Sequence, residues 1–579
     1  MVAYDFETTR IEDGTPRPLY LTAFGVDMYF EQEIKNTRSL HAMDHLQQTL
    51  VTHFLTEDRL GTKFVAWNGN RFDAYFIAAA LIRNSSYRLR PYLTKSKALR
   101  GLRVTLAEDG DNPRAKGWEF VDGIAMLGLA GTSLDKFLAN FAPEHKKLKG
   151  TIDFEGGEQF NPAEKTHRDY AMRDSEGLYH GMTRAQQIML DTFNEPLSLT
   201  MGAVCIKIFA AHIPKETSIK PLDYENERIV REYVMRGGYC YCVRRYDGPV
   251  WKYDLNQAYA AAMRETDMPC GDIITGKGDP RLYCISYLIE ISANLSTNTI
   301  PFYHRAMVNG RIKSCFSIKE IPRTWITSTE HRQLVREGWN IECHQFIAWA
   351  SSFNMREFVD KLETLRINAE GGPSGPIGTM VKATGNHSFG KTAEQIEPIE
   401  YVLAMECPPD CLPYYADGPE PLEHVFYKFD ENQRPKDYHK PQLASFITAH
   451  CRMVLRQAIL KRPDSWLYAD TDCIVFDSDV TALLDIHPKR YGAWKIEESG
   501  THYKIIAKKV YTEVGGEKPK RSAKGMNVRK LTDEQFADWF DGNEPVQDQV
   551  QINNFLALLD GTEMYRTQTR RGTHIEVNK

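Results

Sequence analysis

Two short stretches place carboxylates where charge is costly. WLYADTDCIVF sets Asp470 and Asp472 two positions apart inside apolar sequence, and VAYDFETT does the same with Asp5 and Glu7. In a strand, residues i and i+2 share a face, so each pair of carboxylates points one way. Like charges side by side repel, and desolvating them is costly unless a cation compensates. The ordinary reading of Asp-Thr-Asp is a polar hairpin tip. The chemical reading is a divalent-metal site, which requires further carboxylates from elsewhere in the chain.

Such partners exist for both pairs. WNGNRFDAYFI adds Asn68 and Asp73 where an apolar segment gives way to a helix, and HRDYAMRDSEGLY places Tyr170 and Asp174 on one helix face. Four carboxylates and a tyrosine suit two-metal phosphodiester hydrolysis, with Tyr170 orienting the attacking water. In VWKYDLNQAYAAAM, Asp254 ends an apolar strand and a helix-compatible run with Tyr259 follows. A carboxylate before a helix N-terminus suits a metal-bound triphosphate, and the Tyr259 ring would exclude a 2′-hydroxyl. KATGNHSFGK puts Lys382, Asn386 and Phe389 at i, i+4 and i+7, a face fit for a triphosphate and a stacked base pair. KKVY supplies Lys509 and Tyr511, and in MRGG the glycines Gly237 and Gly238 allow close backbone approach. Each segment alone reads as an ordinary surface, junction or amphipathic helix. The ordered set is what points to chemistry.

The elements that position these residues must form several domains, because 579 residues exceed one core. Hydrophobic content of 42% and charged content of 26% are those of a globular protein. No apolar run of about 18 residues is present, so no membrane association is expected. The first residues lack a basic-then-apolar leader, and eleven scattered cysteines form no paired metal motif, which together favour a reducing, cytoplasmic setting. Only four residues precede Asp5, a short lead for a central strand, so further residues are expected before it. The net charge of −5 argues against nucleic acid only weakly, because a local basic stripe suffices; Lys146, Lys147 and Lys149 are one candidate. The first part reads as α/β, closing with a helix that starts at Asn161-Pro162. A second helical region covers 186–215, short strands fill 237–347, and helices cover 355–370 and 377–395. CPPDCLPYYADGPEP, 407–421, reads as a long irregular insert.

DFETT, Asn-x3-Phe-Asp and Tyr-x3-Asp resemble the three exonuclease motifs of proofreading DNA polymerases. MRGG, the Asp254, Lys382 and Asp472 segments and KKVY resemble, in order, the linker and motifs A, B, C and KxY of family B DNA polymerases. The likeness is to the protein-primed phage replicases of the phi29 type and spans nearly the whole chain. It implies an α/β and α+β multidomain fold: an RNase H-like 3′–5′ exonuclease domain plus a right-hand polymerase domain. It implies exonuclease at 1–190, first palm part at 191–263, a first terminal-protein region at 264–355 and fingers at 356–395. A second terminal-protein region, the processivity and strand-displacement arm, would fill 396–432, followed by second palm part at 433–525 and thumb at 526–579.

By the same likeness Asp5, Glu7, Asp73 and Asp174 hold exonuclease metals, Tyr170 supports the water and Lys149 assists phosphate chemistry. Asn68, Phe72, Phe76, Ser133 and Leu134 would touch single-stranded DNA. Asp254 and Asp472 hold the polymerase metals with Asp470 as neighbouring acid. Tyr259, Lys382, Asn386 and Phe389 bind the nucleotide, while Gly237, Gly238, Thr471, Lys509 and Tyr511 contact DNA. The implied cofactor is Mg²⁺, two per site, with Mn²⁺ as a substitute. The implied partners are primer-template DNA, single-stranded DNA, dNTPs and a terminal protein used as primer, bound by a monomer in the cytoplasm of an infected bacterium. Met235, Gln257, Ala258, Ala260, Phe389 and Cys473 depart from the family's residues without removing a carboxylate. The alternatives are an RNA-primed or self-priming family B polymerase and, in another class, a catalytically decayed DNA-binding scaffold.

Overall fold

A computed structural model describes the chain apart from residues 10–14, 36–40, 95, 110–111, 113–114, 149, 153–156, 396–397, 417–418, 431–437, 553, 560–564 and 573–579, and the side chains of 41–42 and 557–558. Two sheets carry the two carboxylate sets. The first has ten strands, with Val2–Thr8, Lys63–Ala66 and Trp118–Asp122 parallel at its centre and antiparallel strands on either side. Helix Lys165–Phe193 covers one face through Ala171, Leu178 and Met182, and helices His41–His53 and Asp73–Leu81 cover the other.

The second sheet is antiparallel and has seven strands, in the order Arg521–Ala523, Val510–Glu513, Trp494–Ala507, Tyr246–Leu255, Cys473–Phe476, Trp466–Asp470 and Cys240–Cys242. Helices Ala258–Glu265 and Pro441–Leu460 back it, and their apolar faces continue the core around Tyr253, Ile474 and Phe476. Between them, residues 264–355 build a separate four-stranded antiparallel sheet, Met268–Lys277, Asn340–Phe353, Tyr287–Asn294 and Glu320–Thr327. Glu330 fastens that region to the palm-like core: its carboxylate is 2.7 Å from Arg236 and 2.9 Å from Arg452, all three fully or almost fully buried. Removing one member of such a buried set costs about 3–5 kcal/mol, because a charge is left uncompensated.

Three expectations change. The helix expected from Asn161-Pro162 begins at Lys165, because Asn161 Oδ1 accepts the Ala163 N–H at 3.1 Å and holds a turn first. It then runs without a break to Phe193, and a separate helix, Met201–Ala211, follows. The insert read as irregular holds one short strand, Leu412–Pro413, paired with Val425–Phe429; the strands that flank the insert, Ile399–Leu403 and Val425–Phe429, are antiparallel, and Leu403 pairs with Leu89 so that they extend the ten-stranded sheet. Proline content hid this, since the prolines crowd the excursion between the two flanking strands rather than those strands themselves.

Candidate functional site

The N-terminal carboxylates converge on the ten-stranded sheet. Tyr4 and Phe6 point into the core, so the intervening Asp5 and Glu7 share the opposite, half-buried face. Asn68 takes a left-handed turn (φ 67°), after which Asp73 opens its helix with 4% exposure and accepts the Phe6 N–H at 3.3 Å. The main chain between Asp5 and Glu7 therefore holds the third acid. Asp174, also 4% exposed, comes from the long helix one turn after Tyr170. Burial and then Asp73 push the Asp5 carboxyl well up. Burial, followed by Asp174, brings Glu7 to about 7, and burial brings Asp73 to about 7.

Lys147 answers that negative charge: its Nζ is 2.5 Å from Asp174 Oδ2 and 5.2 Å from the Tyr170 ring centre. Lys149, the expected lysine, lies outside the described residues. Asp174 Oδ1 is buried without a hydrogen-bond partner, an acceptor suited to a metal. Asp122 caps helix Gly123–Leu127 and accepts the Asn70 N–H at 3.2 Å, fixing the turn that carries Asn68. Tyr565, from the C-terminal hairpin, is buried close enough to Asp73 that burial and that charge push its phenol up to about 12.

Asn68 and Ser133 are exposed, Phe72 and Leu134 half-buried. Ser133 also caps the helix Leu134–Phe141. Phe76 is corrected: it has 0% exposure, packed 5.4 Å from Phe6 and 5.2 Å from Phe72. It supports Phe72 from within the core and offers no surface to a DNA strand.

The second site answers the Asp-Thr-Asp question in an unexpected way. Asp470 ends one strand and Cys473 opens the next, opposite it, so Thr471 and Asp472 form the hairpin tip. The polar-turn reading holds, and both carboxylates stand at that turn. Thr471 is left-handed (φ 64°), and its N–H donates to Tyr239 O at 2.7 Å. Asp472 O accepts the Leu255 N–H at 2.7 Å, which ties the tip to the strand end carrying Asp254. A Cβ on Gly238 would stand 2.7 Å from Thr471 Oγ1, so only glycine permits this approach, whereas Gly237 faces open space.

Burial pushes Asp254 up despite Lys495, whose Nζ is 2.8 Å away. Asp472 rises to about 6 through burial, then Asp254. Asp470 is engaged differently, by Lys509 at 3.2 Å and the Tyr468 hydroxyl at 3.2 Å. A cleft of ≈ 370 Å³ is lined by Asp470, Thr471, Asp472, Lys509 and Tyr511. Tyr259, in the first turn of its helix, lies 4.6 Å from the Phe389 ring. Lys382 and Asn386 are exposed on the same side of helix Pro376–His387, whose other face buries Val381, Ala383 and Thr384. Lys495, Lys147, Asp122 and Tyr565 are absent from the sequence reading as site residues. Register, or packing from distant segments, brings them in, and only a basic-stripe signal hinted at Lys147.

Residues 119–407 match the family described as DNA polymerase type B, organellar and viral. The chain is 20% identical over 553 residues to a "Probable DNA polymerase" of Ascobolus immersus, covering 86% of this chain and 45% of that protein. It is 24% identical over 280 residues to the "DNA polymerase" of Streptococcus phage Cp-1, covering 45% of each. The chain thus spans less than half the length of these curated relatives. Among solved structures, phi29 DNA polymerase in complex with primer-template DNA and incoming nucleotides superimposes with a TM-score of 0.73 at 18% identity, covering 99% of both chains. Its complex with single-stranded DNA does so with a TM-score of 0.71 at 18% identity, covering 99% of this chain and 100% of that one. The likeness is one of fold: an exonuclease unit joined to palm, fingers and thumb.

Proposed function

Because the chain belongs to the organellar and viral type B DNA polymerases, we propose that it extends a DNA primer on a template and removes 3′-terminal nucleotides at a separate site. The observation that carries this reading is the Leu255–Asp472 hydrogen bond of 2.7 Å, which brings Asp254 and the Asp472 tip together beside Tyr259. Family and fold favour Mg²⁺, two ions per site, held by Asp254 with Asp472 and by Asp5, Glu7, Asp73 and Asp174. The donor set fits: oxygen ligands only, pushed up by burial and mutual repulsion, with one buried Asp174 oxygen unpartnered. When bound, such ions activate the attacking oxygen and stabilise the departing one.

The chain's own residues do the rest. Lys509 and Tyr511 line the cleft beside Asp470, where a primer end would be held. Lys382 and Asn386 present donors to a triphosphate, and Phe389 supports the Tyr259 ring against the sugar. In the exonuclease, Tyr170 orients water and Lys147 offsets the charge of Asp174. Phe72 and Asn68 meet the single strand, with Ser133 and Leu134 alongside.

Priming by a terminal protein, within a phage-infected bacterium and by a monomer, is the finer part of the proposal. Its supports are the motif order, the inserts at 264–355 and 396–432, and the phage relatives. Among the described residues no helix is long and apolar enough to cross a membrane. The test is incubation of the full chain with primed template, dNTPs and Mg²⁺, and in parallel with a candidate terminal protein and labelled dNTP. Extension without label transfer to the protein would retain the polymerase and replace protein priming by an RNA-primed or self-primed start. No extension and no degradation would leave the DNA-binding scaffold.

A further inference from the structure

Away from both carboxylate sites, the 264–355 region gathers a thiol, an imidazole and a carboxylate from three elements. His331 lies on helix Ser328–Arg336 with 0% exposure, Cys343 is half-buried on strand Asn340–Phe353, and Asp279 follows strand Met268–Lys277. Their ligand atoms all lie within 4.8 Å of one another. Cys343 Sγ is 3.7 Å from His331 Nε2. Two ligands about 2.3 and 2.1 Å from one tetrahedral zinc ion would stand about 3.6 Å apart.

The other ring nitrogen is also accounted for. The Tyr287 hydroxyl is 3.0 Å from His331 Nδ1, fixing the ring's orientation as metal-binding imidazoles are commonly fixed. Burial pulls His331 down to about 4, so the ring is neutral and keeps a lone pair at ordinary pH. Burial, then Asp279, pushes the Cys343 thiol up to about 11, so without a cation it stays protonated. Arg281 anchors Asp279 from its own turn, with its backbone N–H 3.0 Å from Oδ1 and its guanidinium 2.6 Å from Oδ2. Nη2 of the same guanidinium also lies 2.6 Å from Oδ2, so Oδ1 is the oxygen that keeps a lone pair for an ion.

We propose that Asp279, His331 and Cys343 form a zinc-class metal site with an open fourth position. Binding releases one proton from Cys343 to solvent; the anionic ligands are then the thiolate and the Asp279 carboxylate, which is shared with Arg281. Thiolate and imidazole favour zinc over the Mg²⁺ that suits the oxygen-only sites. The ion would tie the turn after Lys277, where Leu282 is 97% exposed, to the sheet and helix of the same region. A second cluster, His145, Glu176 and His180, is less apt. Its two rings stack at 3.9 Å with 10° between planes, so their in-plane lone pairs run side by side instead of converging.

The test uses the full-length chain, stripped with a chelator and titrated with Co²⁺ in excess Mg²⁺. One equivalent should bind with a near-ultraviolet thiolate-to-cobalt charge-transfer band, and Zn²⁺ should displace it. Because the chain has eleven cysteines, the assignment rests on variants. Cys343→Ser should remove the band, and Tyr287→Phe should weaken binding by about 10–100-fold. Asp279→Asn, at a surface turn, keeps the test open if Cys343→Ser melts early; it should weaken cobalt binding at least about tenfold. No band in the parent, a band that survives Cys343→Ser, or unchanged affinity in Asp279→Asn overturns the site.

Discussion

The Lys495 ammonium lies 2.8 Å from Asp254 Oδ2, placed there by the strand register that pairs the two residues directly. It partly offsets the burial that raises Asp254, while Asp472 has only the more distant share of that cation. Asp254→Ala and Asp472→Ala should each lower primer extension by on the order of 10³-fold, with single-strand degradation intact. Lys495→Met should cost far less and move the acid limb of extension to higher pH, since losing the cation raises Asp254 further. Near-parental extension by Asp472→Ala would remove the palm hairpin from the chemistry.

The exonuclease should fail on its own. Asp5→Ala combined with Glu7→Ala is expected to abolish 3′ degradation and leave extension largely unchanged, because the acids lie on a different sheet from Asp254. Lys147→Ala should also slow degradation, by about 10–100-fold, because the charge facing Asp174 and the Tyr170 ring is lost. Degradation at the parental rate by the double variant would reject the N-terminal site, and by Lys147→Ala the part given to that lysine.

The raised carboxyls fix a sign for pH dependence. Asp73, at about 7, holds a proton in the folded chain where an unfolded aspartate, near 3.8, has lost it. Between those values the native state binds more protons, so this group's contribution to stability falls as pH rises. Metal-free Asp73→Asn should therefore be more stable than the parent at pH 8, by up to about 4 kcal/mol, and close to it near pH 4. Melting curves in chelator at the two pH values decide it, and a difference that grows toward acid pH would reverse the assignment. Mg²⁺ should narrow the gap at pH 8, where the carboxylates are free to bind it.

How much of this was legible depended on whether spacing along the chain carried it. Asp5 with Glu7, Tyr170 with Asp174, and Lys382 with Asn386 follow from strand and helix periods, and the structure puts each pair on one face. For the Asp470–Asp472 pair the sequence leaves strand and hairpin tip both open, because a two-residue tip leaves the same alternation on both sides, and the structure has the tip. Lys495 depended on register across two strands, and Tyr565 on the docking of a C-terminal hairpin; neither has a local signal. Lys147 carried only a basic-stripe signal, since a loop position has no period to place it, and Lys149 lies outside the described residues. The pairing of residues 399–429 with the edge strand Tyr87–Leu93 was obscured by the prolines between the two arm strands.

Sugar selection should rest on Tyr259. Its ring is braced at 4.6 Å by Phe389, in the first turn of the helix that follows Asp254, and burial, with a smaller share from Cys451 and Asp472, pushes its phenol up to about 12. Tyr259→Val should raise ribonucleotide use relative to deoxyribonucleotide use by on the order of tenfold or more, because a steric block is removed. An unchanged ratio in competition assays would take the role away. Phe389→Ala should shift the ratio in the same direction by releasing the brace.

The last prediction concerns residues 396–432. The base of this arm is anchored: Tyr401, Leu403 and Val425 join the exonuclease core, and Glu400 lies 3.2 Å from Arg90 and 3.5 Å from Lys428. Deleting the whole segment would expose the edge strand Tyr87–Leu93, so a loss of activity would mix folding with function. Replacing 405–421 by a short glycine-serine loop keeps both anchoring strands and removes only the excursion. An arm that closes over the DNA path should then be lost while the core survives. Short extension on primed single strands should continue, and product length and displacement of a downstream strand should fall sharply. The reaction with a terminal protein should weaken as well, since the same excursion would help hold that partner. If the shortened chain copies long templates through a downstream strand as processively as the parent, the segment is an ornament of the exonuclease sheet and no part of the DNA path.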